Sequence, residues 1–228
     1  VVGNRSRGAR VIALLAISAL LLTSFQAPAA PLPVNTTIVA VSELDPVGAT
    51  SVAPVLNSPF AVPGFFNGVL TSSVYNNDPS NPFGPAALTF TYQLTNVGGV
   101  GFPNSLGRVT INDYAGFLTD ASYQTASGFP TPSFIDRDVL GDIIGFSYFR
   151  PPIGSGAIAP GDISAIMVVQ TDATLYKTTL ASVIDGNVTT AMTYAPAVPE
   201  PSTLVLSFLV GAATLVRRRD RSSGLVKS

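Results

Sequence analysis

An all-β fold, a single antiparallel two-sheet sandwich, is what this chain predicts for residues 30–197, and three observations carry that expectation. Leu88, Phe90, Tyr92 and Leu94 alternate strictly with Thr89, Thr91, Gln93 and Thr95, the period of two that a half-buried strand requires. The chain holds 20 Gly and 19 Pro, which punctuate it into short segments rich in Thr, Val, Ile, Phe and Tyr. No stretch of this body repeats its apolar residues at helical spacing.

Taken in chain order, the first strand is expected over Thr36–Ser42. Pro46 to Pro63 is irregular and reads as an edge strand or a long loop, because its prolines cannot serve a central ladder. Gly68–Tyr75 is the next strand. Asn76, Asn77, Asp78 and Asn81, with Pro79 and Pro82 among them, form an oxygen-rich loop that turn chemistry explains. Ala87–Thr95 is the clearest strand, and Asn96-Val97-Gly98-Gly99 ends it in a loop. Arg108–Asp113, Leu118–Tyr123 and Ile143–Phe149 follow. Gly154-Ser155-Gly156-Ala157-Ile158-Ala159 fits a dinucleotide fingerprint, but that chemistry needs a helix directly after the glycines, and Pro160-Gly161 stands there instead. A hairpin loop is the reading. Ala159-Pro160-Gly161-Asp162 has Pro and Gly where a type II turn places them. Asp162–Thr171 puts Ile163, Ala165, Met167 and Val169 on one face and Ile166 and Val168 on the other, as in a central strand covered on both sides. Asp185-Gly186 between Leu180–Ile184 and Val188–Tyr194 predicts a closing hairpin. No internal repeat is present.

Charge is distributed unevenly. Residues 30–201 hold four basic residues (Arg108, Arg137, Arg150, Lys177) against twelve acidic ones, a net charge of −8, whereas the whole chain is near neutral at −1. Such a body has no cluster of Lys and Arg with which to neutralise phosphates, so nucleic acid is not an expected partner. Cys, His and Trp are absent. That removes disulfides, a Ser-His-Asp triad, a cysteine nucleophile and His/Cys metal or haem sites, and it leaves stability to the packed core.

Both ends of the chain carry targeting chemistry. Arg5, Arg7 and Arg10 precede the apolar run 11–22, and Ala27-Pro28-Ala29 fits the small-x-small rule. Residues 1–29 are therefore expected to be a signal peptide, with the mature chain starting at Ala30. At the other end, Val198-Pro199-Glu200-Pro201 precedes an uncharged run, Leu204 to Val216, and then Arg217-Arg218-Arg219. As a helix that run would reach about 20 Å against a hydrocarbon core of roughly 30 Å, short for a permanent anchor. The arginines would stay on the cytoplasmic side, leaving Pro199-Glu200-Pro201 outside.

This ordered tail over residues 198–228 resembles the PEP-CTERM sorting signal, which exosortase, a membrane-embedded processing enzyme, reads. The resemblance implies roles for Val198, Pro199, Glu200 and Pro201 as the sorting motif, Leu204–Val216 as a transmembrane helix and Arg217, Arg218 and Arg219 as the basic stop. The run from Gly161 to Pro196 is similar to the end of the uncharacterised extracellular β-domains that precede such tails. The family brings no catalytic residues. It implies a cell-surface or biofilm-matrix protein in hosts that secrete exopolysaccharide.

Within the body, Asp136, Asp138 and Asp142 are calcium candidates, since Asp-x-Asp sets two carboxylates on one side of an extended segment and calcium collects oxygens. The spacing is not that of an EF-hand, and a solvated loop before Ile143 is the plainer reading. No other cofactor is expected. Asp113, Asp120, Asp136 and Asp138 could serve as paired acids of a glycan hydrolase, which needs two of them facing across a cleft. Nothing in the sequence brings two together. Tyr75, Tyr92, Tyr114, Tyr123, Tyr148, Tyr176 and Tyr194 could stack on sugars but fit strand interiors better. The leading expectation is an exported structural or interaction protein, not an enzyme, with a glycan- or calcium-dependent binding module as the alternative.

Overall fold

The computed structural model describes residues 31–43, 48–124, 128–149 and 156–198. The signal-peptide region with Ala27, Ala29 and Ala30, and the tail from Pro199 onward, lie outside the described residues. Within them every regular element is a strand and none is a helix.

Thirteen strands run in order: β1 (Thr36–Val39), β2 (Ser42–Glu43), β3 (Thr50–Ser51), β4 (Leu56–Val62), β5 (Phe66–Asn76), β6 (Thr89–Asn96), β7 (Arg108–Ile111), β8 (Thr119–Gln124), β9 (Phe134–Arg137), β10 (Ile144–Ser147), β11 (Met167–Thr171), β12 (Tyr176–Asp185) and β13 (Asn187–Pro196). They build two sheets. One has the order β1-β9-β10-β7-β12-β13, and the other β2-β8-β11-β6-β5-β3 with β4 also on β5. All pairings are antiparallel except β2 with β8.

The alternation seen in the sequence builds the core. Phe90, Tyr92 and Leu94 of β6 are fully buried, as are Met167 and Val169 of β11, which face them in register. From the first sheet Val109, Ile111, Ile135, Ile144, Phe146 and Val183 join the same apolar cluster. Burying each such side chain contributes about 1.5–3 kcal/mol, which is how a chain without disulfides stays folded. Two tyrosines bridge the core. The hydroxyls of Tyr92 and Tyr114 lie 2.6 Å apart, and Tyr92 donates to the Tyr194 carbonyl at 2.8 Å. Because that bond uses the one Tyr92 hydroxyl proton, Tyr114 is the donor to Tyr92.

Several expected elements differ in extent. The strand expected over Thr36–Ser42 is two strands, β1 and β2, lying in different sheets. The switch occurs at Ala40 and Val41, where the Ala40 N–H bonds Ser133 O and Val41 O accepts from Tyr123 N–H. The strand expected over Asp162–Thr171 starts only at Met167. Before it, the Ser164 hydroxyl takes the Leu94 N–H at 3.0 Å, so a side chain replaces a ladder bond. Pro46–Pro63 contains the edge strand β4, whose ladder partner among the described residues is β5, and Pro59 is tolerated there. The turn at 159–162 forms as expected, with Gly161 at φ 93° and the Asp162 N–H on Ala159 O at 2.9 Å. The closing hairpin also forms, with Gly186 (φ 68°) at its apex between Asp185 and Asn187.

Strand β9 corrects the reading of a solvated loop around Asp136. Ile135 and Arg137 are its buried positions, and Arg137 is only 6% exposed. Its guanidinium donates to Leu32 O, Tyr114 O, Phe117 O, Gly141 O and Thr119 Oγ1. A charged residue at an inward position hid the period of two, because the sequence shows the charge and not the ring of carbonyls that receives it.

Candidate functional site

The carboxylates singled out from sequence fall in separate places. Asp136 forms a two-pronged ion pair with Arg108, Nη1 to Oδ1 at 2.6 Å and Nη2 to Oδ2 at 2.8 Å. Asp138 Oδ1 accepts the Ile143 N–H at 2.9 Å and closes the turn between β9 and β10. Asp142 offers its carbonyl to the Tyr114 N–H. Among the described residues no group of three or more acidic side chains is arranged to hold a metal ion. Asp113, at φ 74°, sits next to Lys177 Nζ at 3.1 Å and accepts the Thr179 hydroxyl. Partial burial opposes its ionisation, but these hydrogen bonds and the ammonium charge together hold its pKa below the usual carboxylate value. Asp113 and Asp136 are thus each committed to a cation of their own.

The sequence missed a second acidic group, on the outer face of the other sheet. Asp120, Gln170 and Thr89 stand side by side in register on β8, β11 and β6. The loop of Asn76, Asn77, Asp78 and Asn81 folds over this row. Asp78 is 2% exposed, and its Oδ2 accepts from Thr89 Oγ1 at 2.6 Å and Gln170 Nε2 at 3.2 Å. Its Oδ1 accepts the Ser80 N–H and hydroxyl. Asn81 closes the loop through Leu88 O and Thr89 Oγ1. Glu43 on β2 flanks the group. Burial pushes its pKa up to about 7, against a hydrogen bond with Ser122, and the charges of Asp78 and Asp120 push the same way. Asp120 is raised as well, by burial, opposed by the Ala121 N–H. The signal available in the sequence was the run of Thr and Gln on the polar face of β6 and β11, which needs a cover once both faces are buried.

An open cleft of about 590 Å³ lies at one end of the first sheet. There β10 ends, β7 begins and β12 ends, so antiparallel pairing gathers their loops. Asn104, Ser105 and Gly107 form one wall, Tyr148 and Phe149 another, and Asp185 the rim. Phe149 is 46% exposed and meets Phe134 edge-on at 5.6 Å between ring centres. One half-exposed aromatic ring beside amide, hydroxyl and carboxylate groups can pack a sugar face and bond its hydroxyls. Of the seven tyrosines, Tyr92 and Tyr194 are buried on strands β6 and β13, and Tyr114 and Tyr148 are buried in the segments that follow β7 and β10.

Of the sorting motif only Val198 is described. It is 68% exposed and follows β13 directly. No protein-family model matches the chain, and neither a curated protein nor a solved structure matches it.

Proposed function

We propose that this chain is an exported structural or interaction protein of the cell surface or extracellular matrix, delivered by its N-terminal signal and sorted through its C-terminal tail. The observation that carries the reading is the ordered tail, Val198-Pro199-Glu200-Pro201, the apolar run and Arg217-Arg218-Arg219, which begins two residues after β13 ends at Pro196. In this reading an exosortase-type enzyme recognises Pro199-Glu200-Pro201 while the short helix holds the chain in the membrane. The body, a two-sheet sandwich with an acidic surface, then remains outside. Three of the four acids considered for hydrolysis, Asp113, Asp136 and Asp138, are each held by a partner of their own, which supports interaction rather than turnover.

Fractionation of the native host, with N-terminal sequencing of the recovered chain, tests the export step. A mature chain starting at Ala30 in surface or extracellular fractions is expected. A chain still starting at Val1 and found in the cytoplasm overturns the proposal.

A second reading is favoured by the cleft: Phe149, Asn104, Ser105 and Asp185 would let the body bind a neutral glycan. Titration with a panel of soluble polysaccharides, comparing wild type with Phe149→Ala, tests it. Retention that Phe149→Ala does not change rules this site out.

A further inference from the structure

We propose that Asn187, at the tip of the β12–β13 hairpin, is an acceptor for N-linked glycosylation by a bacterial oligosaccharyltransferase. The chain contains three Asn-x-Ser/Thr sequons, at Asn4, Asn35 and Asn187. Such a sequon is an acceptor only in an exported protein and at an accessible site, so the inference rests on the export step above. A transferase that reads an extended acceptor through a basic side chain also needs a carboxylate two residues before the asparagine. Asp185-Gly186-Asn187-Val188-Thr189 supplies it, with Val rather than Pro between acceptor and threonine. Asn35 has Pro33 at that position, and Asn4 has Val2 and lies in the segment expected to be removed.

The structure gives this sequon a suitable place. Asp185 pairs with Asn187 across the apex, and Gly186 between them takes φ 68°. Val188 is 62% exposed, Gly186 is exposed and Asn187 is partly exposed. A transferase must bend the sequon out of the ladder. Here that opens only the terminal register pairs, Asp185 with Asn187 and Ile184 with Val188, then Val183 with Thr189. Hairpin ends open at low cost compared with the core. Asn35 is a useful contrast: it is also exposed, in a turn at φ 55°, so exposure alone does not separate the two sites and the upstream carboxylate does.

The chemistry balances with a polyprenyl-pyrophosphate-linked saccharide as co-substrate. Asn187 Nδ2 attacks the anomeric carbon and a C–N bond forms. The bond from that carbon to the pyrophosphate oxygen breaks, and the pyrophosphate leaves with the electron pair. The proton lost from Nδ2 passes to a base of the transferase. Because Asp185 also forms the rim of the cleft, the attached saccharide would stand beside its opening.

The test is co-expression of the full chain with a bacterial oligosaccharyltransferase and its lipid-linked saccharide, in cells where a reference acceptor is glycosylated. Peptide mass spectrometry reads occupancy on the exported chain. The expected result is a saccharide mass on the Asn187 peptide and none on the Asn35 peptide. The mass is lost in Asn187→Gln, Asp185→Asn and Thr189→Ala, and retained in Asn35→Gln and Thr189→Ser. Melting temperatures of the unglycosylated variants show whether each folds. An exported wild-type chain unmodified at Asn187, equal modification at Asn35, or full occupancy in folded Asp185→Asn overturns the inference while leaving export intact. A chain retained in the cytoplasm with its signal uncleaved overturns both.

Discussion

Arg108 on β7 reaches over the intervening strand β10 to grip both oxygens of Asp136 on β9, and Gly145 is the residue it passes over. A Cβ at Gly145 would lie 2.3 Å from Arg108 Nη2 and 2.8 Å from Asp136 Oδ1. The glycine is therefore required by the side chains that cross it rather than by its own backbone angles. Ser147, in register with Arg108, accepts from Nη1 and fixes the guanidinium.

Gly145→Ala should displace this ion pair. Both partners are partly exposed, at 31% and 24%, so the pair itself contributes about 1 kcal/mol. The double variant Gly145→Ala/Asp136→Asn should then be no less stable than Gly145→Ala, as read by urea unfolding. Additive losses would show that the glycine acts independently of the pair.

Arg137→Met should be far more costly. It keeps the aliphatic volume but strips the donor from Leu32 O, Tyr114 O, Phe117 O and Gly141 O. Leaving several buried carbonyls unpaired should cost about 3 kcal/mol or more, measured as a fall in the unfolding midpoint. A loss within that of an exposed substitution would contradict the assignment of Arg137 as the clamp between β9 and the 112–118 loop.

Gly68→Ala should break the β5–β6 ladder locally. The added carbon would meet the Thr95 carbonyl oxygen at 2.2 Å and the Phe60 ring at 2.6 Å. The first is backbone and cannot swing away, so a destabilisation of about 2 kcal/mol or more is expected by calorimetry. An unchanged melting temperature would count against the register of β5 on β6.

Stability should fall as pH rises through Glu43. Its folded pKa of about 7 exceeds the ordinary 4.5, so the folded state holds the proton more tightly than the unfolded chain. The stabilisation is complete below about 4.5 and lost as pH climbs to about 7 and beyond. Glu43→Gln should flatten this slope between pH 5 and pH 8 and raise the unfolding free energy at pH 8 by an amount on the order of 3 kcal/mol. Parallel slopes for wild type and variant would show that Asp120 or other groups carry the dependence.

These residues also mark what the sequence made legible. Leu88 to Thr95 announced β6 because one face is apolar and the other is Thr and Gln, and the turns at Pro160-Gly161 and Gly186 announced themselves through residues that need particular backbone angles. Strand β9 was hidden because its inward Arg137 is neutralised by carbonyls distant in sequence. Strand β4 was half hidden, since Pro59 marks an edge but does not say which strand it will pair. The acidic group of Glu43, Asp78 and Asp120 was invisible, because it depends on β2 joining β8 in parallel and on a loop folding over Gln170. Asp136, Asp138 and Asp142 were near in sequence, but a turn and a strand face separate their tasks.

The measurement that bears most directly on the proposed function is mass spectrometry of the C-terminus in membrane and surface fractions of the native host. Wild type should end near Pro199-Glu200-Pro201 and lack Arg217-Arg218-Arg219. Replacing those three residues with alanines removes the prolines that keep this segment extended and out of the following helix. That variant should accumulate in the membrane with the arginines attached. Identical C-termini and identical locations for the two proteins would contradict sorting through the tail.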